Sequence, residues 1–313
     1  MPSIPGIHHI TAFAKDPQTN VDFYQQVLGQ RLIKTTVNFD DPGTYHFYYG
    51  DEVGTPGTIL TFFPWPMAVQ GKPGNGEVAA VAYTIHPESL PFWRSHLTEH
   101  NLAVQEETRF GAPVLTFNDP DGMALELVAD AAAADIHPWP TGPIPAEHAL
   151  RGFHSATLWV AQAEPTLKLL TGSMGYKRVA EEGNRCRVKA AGEEQALYLD
   201  LLERPGLGRG RMGAGSVHHI AFRTADDETQ LAHRQTLSQT GLNVTPVQDR
   251  QYFHSIYFRE PNGILFEIAT DPPGFATDET IAELGSSLKL PPWLEPHRRE
   301  IEGVLPTITR GNS

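Results

Sequence analysis

The sequence predicts an α+β protein of four βαβββ modules in two domains, with modules paired into curved half-barrel sheets. The first observation behind this is a repeat. RFGAPVLTFNDPDGMALELVAD, from Arg109, aligns without gaps with RQYFHSIYFREPNGILFEIATD, from Arg250. Arg109 falls on Arg250, Pro120 on Pro261, Gly122 on Gly263 and Glu126 on Glu267. The second is a weaker pair, GIHHITAF at Gly6 and GFHSATLW at Gly152, each followed by a helical pattern ending in glycine. Self-similarity of this kind marks a structure assembled from copies of one supersecondary unit. The third is length: 313 residues suffice for two compact domains, each with its own core.

The elements follow in order. Module one, near residues 6–63, opens on the GIHHITAF strand. Asp16 is placed to cap a helix with Pro17 in its first turn, and VDFYQQVLG carries apolar residues at helical spacing. Module two, near 77–128, closes on the Arg109 copy, where apolar and β-branched runs flank an Asp-Pro-Asp-Gly turn. AAAADIHPWPTGPIPAEHA, from Ala131, is rich in Ala and Pro without periodicity and reads as a linker. It divides the chain into domains 1–130 and 151–270, with 131–150 between them. Module three, near 152–203, has a helix from Glu164 and Pro165; module four, near 216–270, ends on the Glu-Pro-Asn-Gly copy. The tail, 271–313, predicts one helix around Glu279–Leu284, after which LPPWLEPHRREIEGVLP packs along the body. One module alone could not bury a curved sheet, whereas a pair closes around a cavity where a site can lie.

Composition narrows the ligand. Hydrophobic residues at 40% and charged ones at 19% describe a globular chain, and no apolar run approaches the roughly 20 residues of a membrane span. The opening MPSIPGIHHI lacks the basic and apolar regions of a signal peptide. The lone cysteine, Cys186, excludes an internal disulfide and suits a reducing cytoplasm. Arg185 and Arg187 flank it in a manner that lowers a thiol pKa, but with no accompanying base it reads as a bystander. A net charge of −13 argues against nucleic acid or an anionic membrane as partner and leaves a small molecule, with homo-oligomer formation open.

Two histidine pairs, His8-His9 and His218-His219, stand in the first strands of modules one and four, as IHHITAF and VHHIAFR. Alternation groups His9 with Thr11 and Phe13 and puts His8 and Ile10 on the other face; it likewise groups His219 with Ala221. Glu267 lies in the apolar strand FEIAT, where a buried carboxylate needs a metal, a proton or a cation. His9, His219 and Glu267 on one face would form the facial triad of non-haem Fe(II) oxygenases. The bland alternative is a structural histidine in each strand and a hydrogen-bonded glutamate.

FYQQVLG, HHITAF, YHFYYGDEVGTPGTILTFFPWP and DRQYFHSIYFREPNGILFEIATDPPGF resemble the hydroquinone ring-cleaving dioxygenases of the glyoxalase/extradiol dioxygenase (vicinal oxygen chelate) superfamily, and the likeness runs into the LGSSLKLPPWLEPHRREIEGVLP tail. The resemblance implies one metal on His9, His219 and Glu267. It also implies acid-base and substrate-orienting roles at His8, Thr11, His218, Arg250 and Tyr257. Its bland counterparts are a strand-edge salt bridge for Arg250, core packing for Tyr257 and rim positions for His8 and His218. His46, in TYHFYYG, is placed to reach the pocket but reads as non-catalytic. The implied cofactor is Fe(II), with Mn(II) as substitute, and the implied reactants are a small hydroquinone-like aromatic and O2.

A glyoxalase I-type site takes a ligand from the first and last strands of both paired modules. Here the last-strand position of module one, aligned through Gly57 and Gly263, is Thr61. Three protein ligands leave adjacent positions for substrate and dioxygen, which favours a dioxygenase over a glyoxalase-like lyase or isomerase. A metal-free binder of the bleomycin-resistance kind would have no need of all three ligands. The matching positions of modules two and three are Ala80, Glu126, Ser155 and Asp200, without histidine, so no metal is expected there.

Overall fold

The computed structural model describes residues 3–132, 137–193 and 195–310. Module one comprises β1 (Ile7–Ala14), α1 (Pro17–Asp22), β2 (Arg31–Asn38), β3 (Asp41–Gly50) and β4 (Ile59–Pro64). Module two follows with β5 (Glu77–Ile85), α2 (Leu90–Glu99), β6 (Gln105–Arg109), β7 (Ala112–Asn118) and β8 (Ala124–Ala129). Module three has β9 (Phe153–Val160), α3 (Ala163–Ser173), β10 (Lys177–Glu182), β11 (Arg185–Lys189) and β12 (Tyr198–Glu203). Module four has β13 (Val217–Thr224), α4 (Asp227–Gln239), β14 (Gln248–Asp249), β15 (Phe253–Arg259) and β16 (Leu265–Pro273).

Local chemistry explains these boundaries. The Asp16 carboxylate accepts from the Thr19 amide and starts α1, with Pro17 in its first turn. The α-helical spacing read from VDFYQQVLG breaks after Asp22, where Phe23–Val27 widens into a π-helical turn closed by Leu28 N–H to the Phe23 carbonyl. Gly29 ends it at φ +66°, and the side chain of Ile144 lies where any Cβ on it would sit. In the two turns of the repeat, Gly122 and Gly263 take φ of +84° and +92°. The residue opening each turn, Asp119 or Glu260, folds its carboxylate back onto backbone amides, those of Asp121 and Met123 or that of Ile264.

Two eight-stranded sheets result. One runs β14-β15-β16-β13-β1-β4-β3-β2, the other β10-β11-β12-β9-β5-β8-β7-β6. Module one pairs with module four and module two with module three, so each sheet draws one module from each side of residues 131–150. At each centre two first strands run antiparallel, β1 with β13 and β5 with β9, and each has its module's last strand parallel on its outer side. That gives each sheet a local twofold relation between its halves. One apolar cluster, including Ile10, Tyr24, Phe62, Leu125, Phe153 and Phe266, joins both sheets and their helices. No helix among the described residues is long and apolar enough to cross a membrane.

Three expectations change. Of the segment read as a linker, residues 133–136 lie outside the described residues, while Trp139, Ile144 and Leu150 are buried against the body. The helix expected around Glu279–Leu284 is only a 3-10 turn at Ile281–Glu283; the tail's α-helix is α5 (Arg298–Val304). Glu279 is instead bound in place as a counter-ion. With Asp278 it grips the buried Lys34 of β2, at 2.5 and 2.6 Å, and a helix through Glu279 would give up that pairing. Ile301 of α5 packs with Leu290 and with Val37 of β2, so the tail does run along the body. Finally, the arginines beside Cys186 do not lower its pKa: the thiol is buried, and burial pushes it up.

Candidate metal centre and cavity

Three adjacent strands, β1, β13 and β16, bring together His9, His219 and Glu267. Register fixes this: Thr11 stands opposite His219, and Ala221 opposite Glu267, so alternation turns the three side chains to one face. His219 Nε2 lies 2.9 Å from Glu267 Oε2, His9 Nε2 lies 3.5 Å from the same oxygen, and the two nitrogens are 3.3 Å apart. Among the described residues these form the group of three side chains able to hold a metal, with ligand atoms all within 4.8 Å of one another.

The protonation states suit a cation. Burial drives His219 below the ordinary imidazole value. Burial alone would raise the Glu267 carboxyl, but His9 and His219 beside it hold it well below the carboxylate range. A neutral imidazole and an ionised carboxylate are the forms that bind metal. Despite its 2.9 Å approach to His219, Glu267 Oε2 has no hydrogen bond of sound geometry and is fully buried. An orphaned anionic oxygen facing two imidazole nitrogens is costly unless a metal completes the set. Its other oxygen, Oε1, accepts from Ser255 on β15.

The remaining ring nitrogens are also engaged. His9 Nδ1 meets His8 Nδ1 at 2.9 Å, and His219 Nδ1 meets His218 Nδ1 at 2.9 Å. If each Nε2 faces a metal, each ligand Nδ1–H donates to the preceding histidine, the outer contact that fixes tautomer and ring angle at metal sites. Strand alternation set His8 and His218 apart from their neighbours, yet their rings turn back to meet them, and β1 and β13 shift register between Ile7 and His9 and between Thr11 and Ala12. Burial, followed by the neighbouring imidazole, keeps His8 well below its usual pKa and takes His218 down to about 3, so both are neutral.

Above the three ligands opens a cavity of about 330 Å³, a size suited to a single-ring compound. His9 and His219 reach it from below. Phe253, Phe63, His46 and Tyr48 form its aromatic wall, and His218, Arg250 and Tyr257 contribute polar groups. His8 and Thr11 do not line it: His8 packs on Phe253, and Thr11 is buried beneath, bonded to Thr61 at 2.8 Å. Arg250 Nε donates to the Tyr257 hydroxyl at 3.1 Å, and its Nη1 pairs with exposed Asp40 across the mouth at 3.2 Å. Burial, with Glu267 next, raises the Tyr257 hydroxyl above its usual pKa, keeping it protonated.

Of two further lining residues, His46 was expected within reach of the pocket and Tyr48 was not singled out by the sequence. His46 does face the cavity, with both ring nitrogens bonded, to Thr61 and Tyr48 at 2.9 Å each. Burial, then His9, holds it well below its usual pKa and therefore neutral. Tyr48 is the counterpart of Tyr257, since it stands opposite Thr61 as Tyr257 stands opposite Glu267. The repeat holds that signal, but a longer β3–β4 connection than β15–β16 puts the two copies out of ungapped alignment.

Comparison with known proteins agrees with this architecture. The model of the Glyoxalase/Bleomycin resistance protein/Dioxygenase superfamily matches residues 6–127 and 152–268. The chain is 49% identical over 306 residues to a Bacillus subtilis protein named "Putative ring-cleaving dioxygenase MhqO", covering 97% of each. It is 37% identical over 309 residues to the chlorohydroquinone/hydroquinone 1,2-dioxygenase of Sphingobium indicum, covering 95% of each. A crystal structure described as a "putative dioxygenase from Bacillus subtilis" superimposes with a TM-score of 0.96 at 47% identity over the whole of both chains. Glyoxalase I from Zea mays shares the fold, with a TM-score of 0.64 at 14% identity over 85% of this chain and 92% of its own. By its two matched segments, its repeats and its full-length relatives, this chain belongs to the Glyoxalase/Bleomycin resistance protein/Dioxygenase superfamily.

Proposed function

We propose that the protein is a metal-dependent dioxygenase that opens the ring of a hydroquinone-like aromatic with O2, using Fe(II), with Mn(II) as substitute. The observation that carries this reading is the ligand set. Two imidazoles and one carboxylate converge, while the fourth position of the twofold arrangement is Thr61, already bonded to Thr11. Three protein ligands leave positions free for both substrate and dioxygen. Full-length relatives named for ring cleavage, one of them for hydroquinone, support the substrate class.

His9, His219 and Glu267 would hold the metal, and Ser255 would steady Glu267 through its other oxygen. Bound Fe(II) would supply Lewis acidity toward a phenolic oxygen and electrons toward dioxygen. The chain's own groups do the rest. Phe253 and Phe63 bound the ring and exclude water from it. Arg250 and the protonated Tyr257 face the oxygen that becomes anionic and hold it by charge and hydrogen bond. His218, neutral and in the cavity wall, has Nε2 as the atom able to exchange a proton with the substrate, since Nδ1 is committed to His219. His8, outside the cavity, orients His9, and Thr11 supports the site from below.

Oxygen uptake by anaerobically Fe(II)-loaded protein tests the reading, with alkyl- and chloro-hydroquinones offered beside catechols. Metal-free protein controls for autoxidation. Stoichiometric, metal-dependent uptake with hydroquinones is expected. Uptake no greater than the control, with iron confirmed bound, would sink the proposal.

A further inference from the structure

In three of the four modules the last strand carries a carboxylate at one equivalent position: Glu126, Asp200 and Glu267. Module one carries Thr61 there. This exchange leads to a directed line of hydrogen bonds. Thr61 Oγ1 lies 2.8 Å from Thr11 Oγ1 and 2.9 Å from His46 Nε2; with the Thr61 proton given to Thr11, its oxygen accepts from His46 Nε2–H. A neutral imidazole protonated at Nε2 has a bare Nδ1. The Tyr48 hydroxyl, 2.9 Å from that nitrogen, therefore gives its proton to it. Tyr48 is 1% exposed, and the cavity is where its oxygen can find a further partner. In this arrangement its proton is spent and that oxygen accepts.

Tyr257, its twofold counterpart, has the opposite polarity. It accepts from Arg250 Nε, so its own proton is not spent on that bond and can turn to the cavity or to Ser255. The cavity thus presents a donor backed by a guanidinium on one side and an acceptor backed by a neutral imidazole on the other. We propose that Tyr48, its proton fixed by His46 and Thr61, is a specificity-determining residue that accepts a hydrogen bond from the second hydroxyl of an aromatic diol. Its partner must stay protonated while the first hydroxyl ionises, which describes a diphenol that reacts at one oxygen only. This rests on the ring-cleavage reading above and specifies its substrate. His46 acts through Tyr48 and is a positioning residue.

Anaerobic binding to Fe(II)-loaded protein tests this without turnover. The ligands are hydroquinone, 4-aminophenol and 4-fluorophenol; the last matches hydroquinone in shape but cannot donate. Wild-type protein should prefer hydroquinone over 4-fluorophenol by roughly tenfold. 4-Aminophenol, a donor and poor acceptor, should side with hydroquinone. In Tyr48→Phe the preference should fall to near unity. His46→Phe should lose part of it by freeing the tyrosine proton, and His46→Gln, which can both donate and accept, should restore it. A wild-type preference retained in Tyr48→Phe, or 4-aminophenol binding like 4-fluorophenol, overturns the inference. Neither outcome touches the ring-cleavage reading if wild-type oxygen uptake on hydroquinone is normal. Hydroquinone that binds with the expected preference but gives no uptake would overturn that reading alone, and failure to bind at all would overturn both.

Discussion

The two sheets are built on one plan, and the register of their central strands aligns them residue for residue. His9, Thr61, His219 and Glu267 in one correspond to Ala80, Glu126, Ser155 and Asp200 in the other. The second sheet has the richer share of carboxylates at these positions, yet answers them with guanidinium groups. Arg109 reaches Glu126 at 2.5 Å, while Arg187 grips Asp200 through two bonds at 2.7 and 2.9 Å, with Arg185 adding a third at 3.2 Å. The strand positions of Ser255, which bonds Glu267, and of Tyr257, which stands opposite it, are Arg185 and Arg187 in the other sheet. The carboxylate at this last-strand position is answered by arginine in one sheet and by histidine in the other. Arginine supplies a fixed charge and closes the position, whereas a neutral histidine offers a lone pair and leaves room for a cation.

The comparison is most easily broken at its centre. His219→Ala should abolish metal binding, a loss beyond the roughly 100-fold that removal of a supporting residue costs. Glu126→Gln and Asp200→Asn should leave metal content by mass spectrometry unchanged. Equal losses from both sheets would mean that the metal is held elsewhere.

Thr61→Glu should sharpen it, by giving module one the carboxylate that the other three modules carry. Metal should stay bound, and oxygen uptake on hydroquinone should drop to background because a site needed by substrate or O2 is taken. Undiminished uptake would contradict the three-ligand reading.

Stability should reverse the ranking of the sheets. Asp200→Ala strands Arg187, which is 10% exposed in its side chain, and should cost about 3–5 kcal/mol in chemical denaturation. The metal affinity of the folded variant should match that of the wild type. A loss under 1 kcal/mol would deny the arginine lock its structural weight.

The last effect, visible only against pH, lies in the second-sheet turn. Burial pushes Asp119 up to about 7, although backbone amides oppose the shift. The folded state thus holds this proton more tightly than the unfolded chain, whose aspartate titrates near 4. The associated stability is complete below about pH 4 and lost as pH rises through about 7. Asp119→Asn keeps the oxygen that accepts from Asp121 and Met123, and the Tyr24 hydroxyl, which donates to the Asp119 carboxylate, can turn to accept from the new amide, so the variant should lack this loss. Parallel stability–pH curves for the two proteins would refute the assignment.

Much of this architecture was legible in the chain. The repeat of Arg109 on Arg250 located two modules, and glycine-ended helices located the others, because turns and caps are local chemistry. His9, His219 and Glu267 could be singled out because an acid in an apolar strand and a histidine in each of two equivalent strands are anomalies of residue type. The tail was misread where long-range charge prevailed: Lys34 draws Asp278 and Glu279 across the fold, and no local signal announces it.

Sequence alone determined the modules, the candidate ligands and the substitution of Thr61 for a carboxylate, since each depends on residue type and spacing along one segment. Tertiary structure decided the rest. It paired module one with module four, turned His8 and His218 back toward the ligands, and joined Tyr48, His46, Thr61 and Thr11 into one line. Those relations depend on register between strands distant in sequence. A hydrogen bond's direction emerges only when every group along the line is in place.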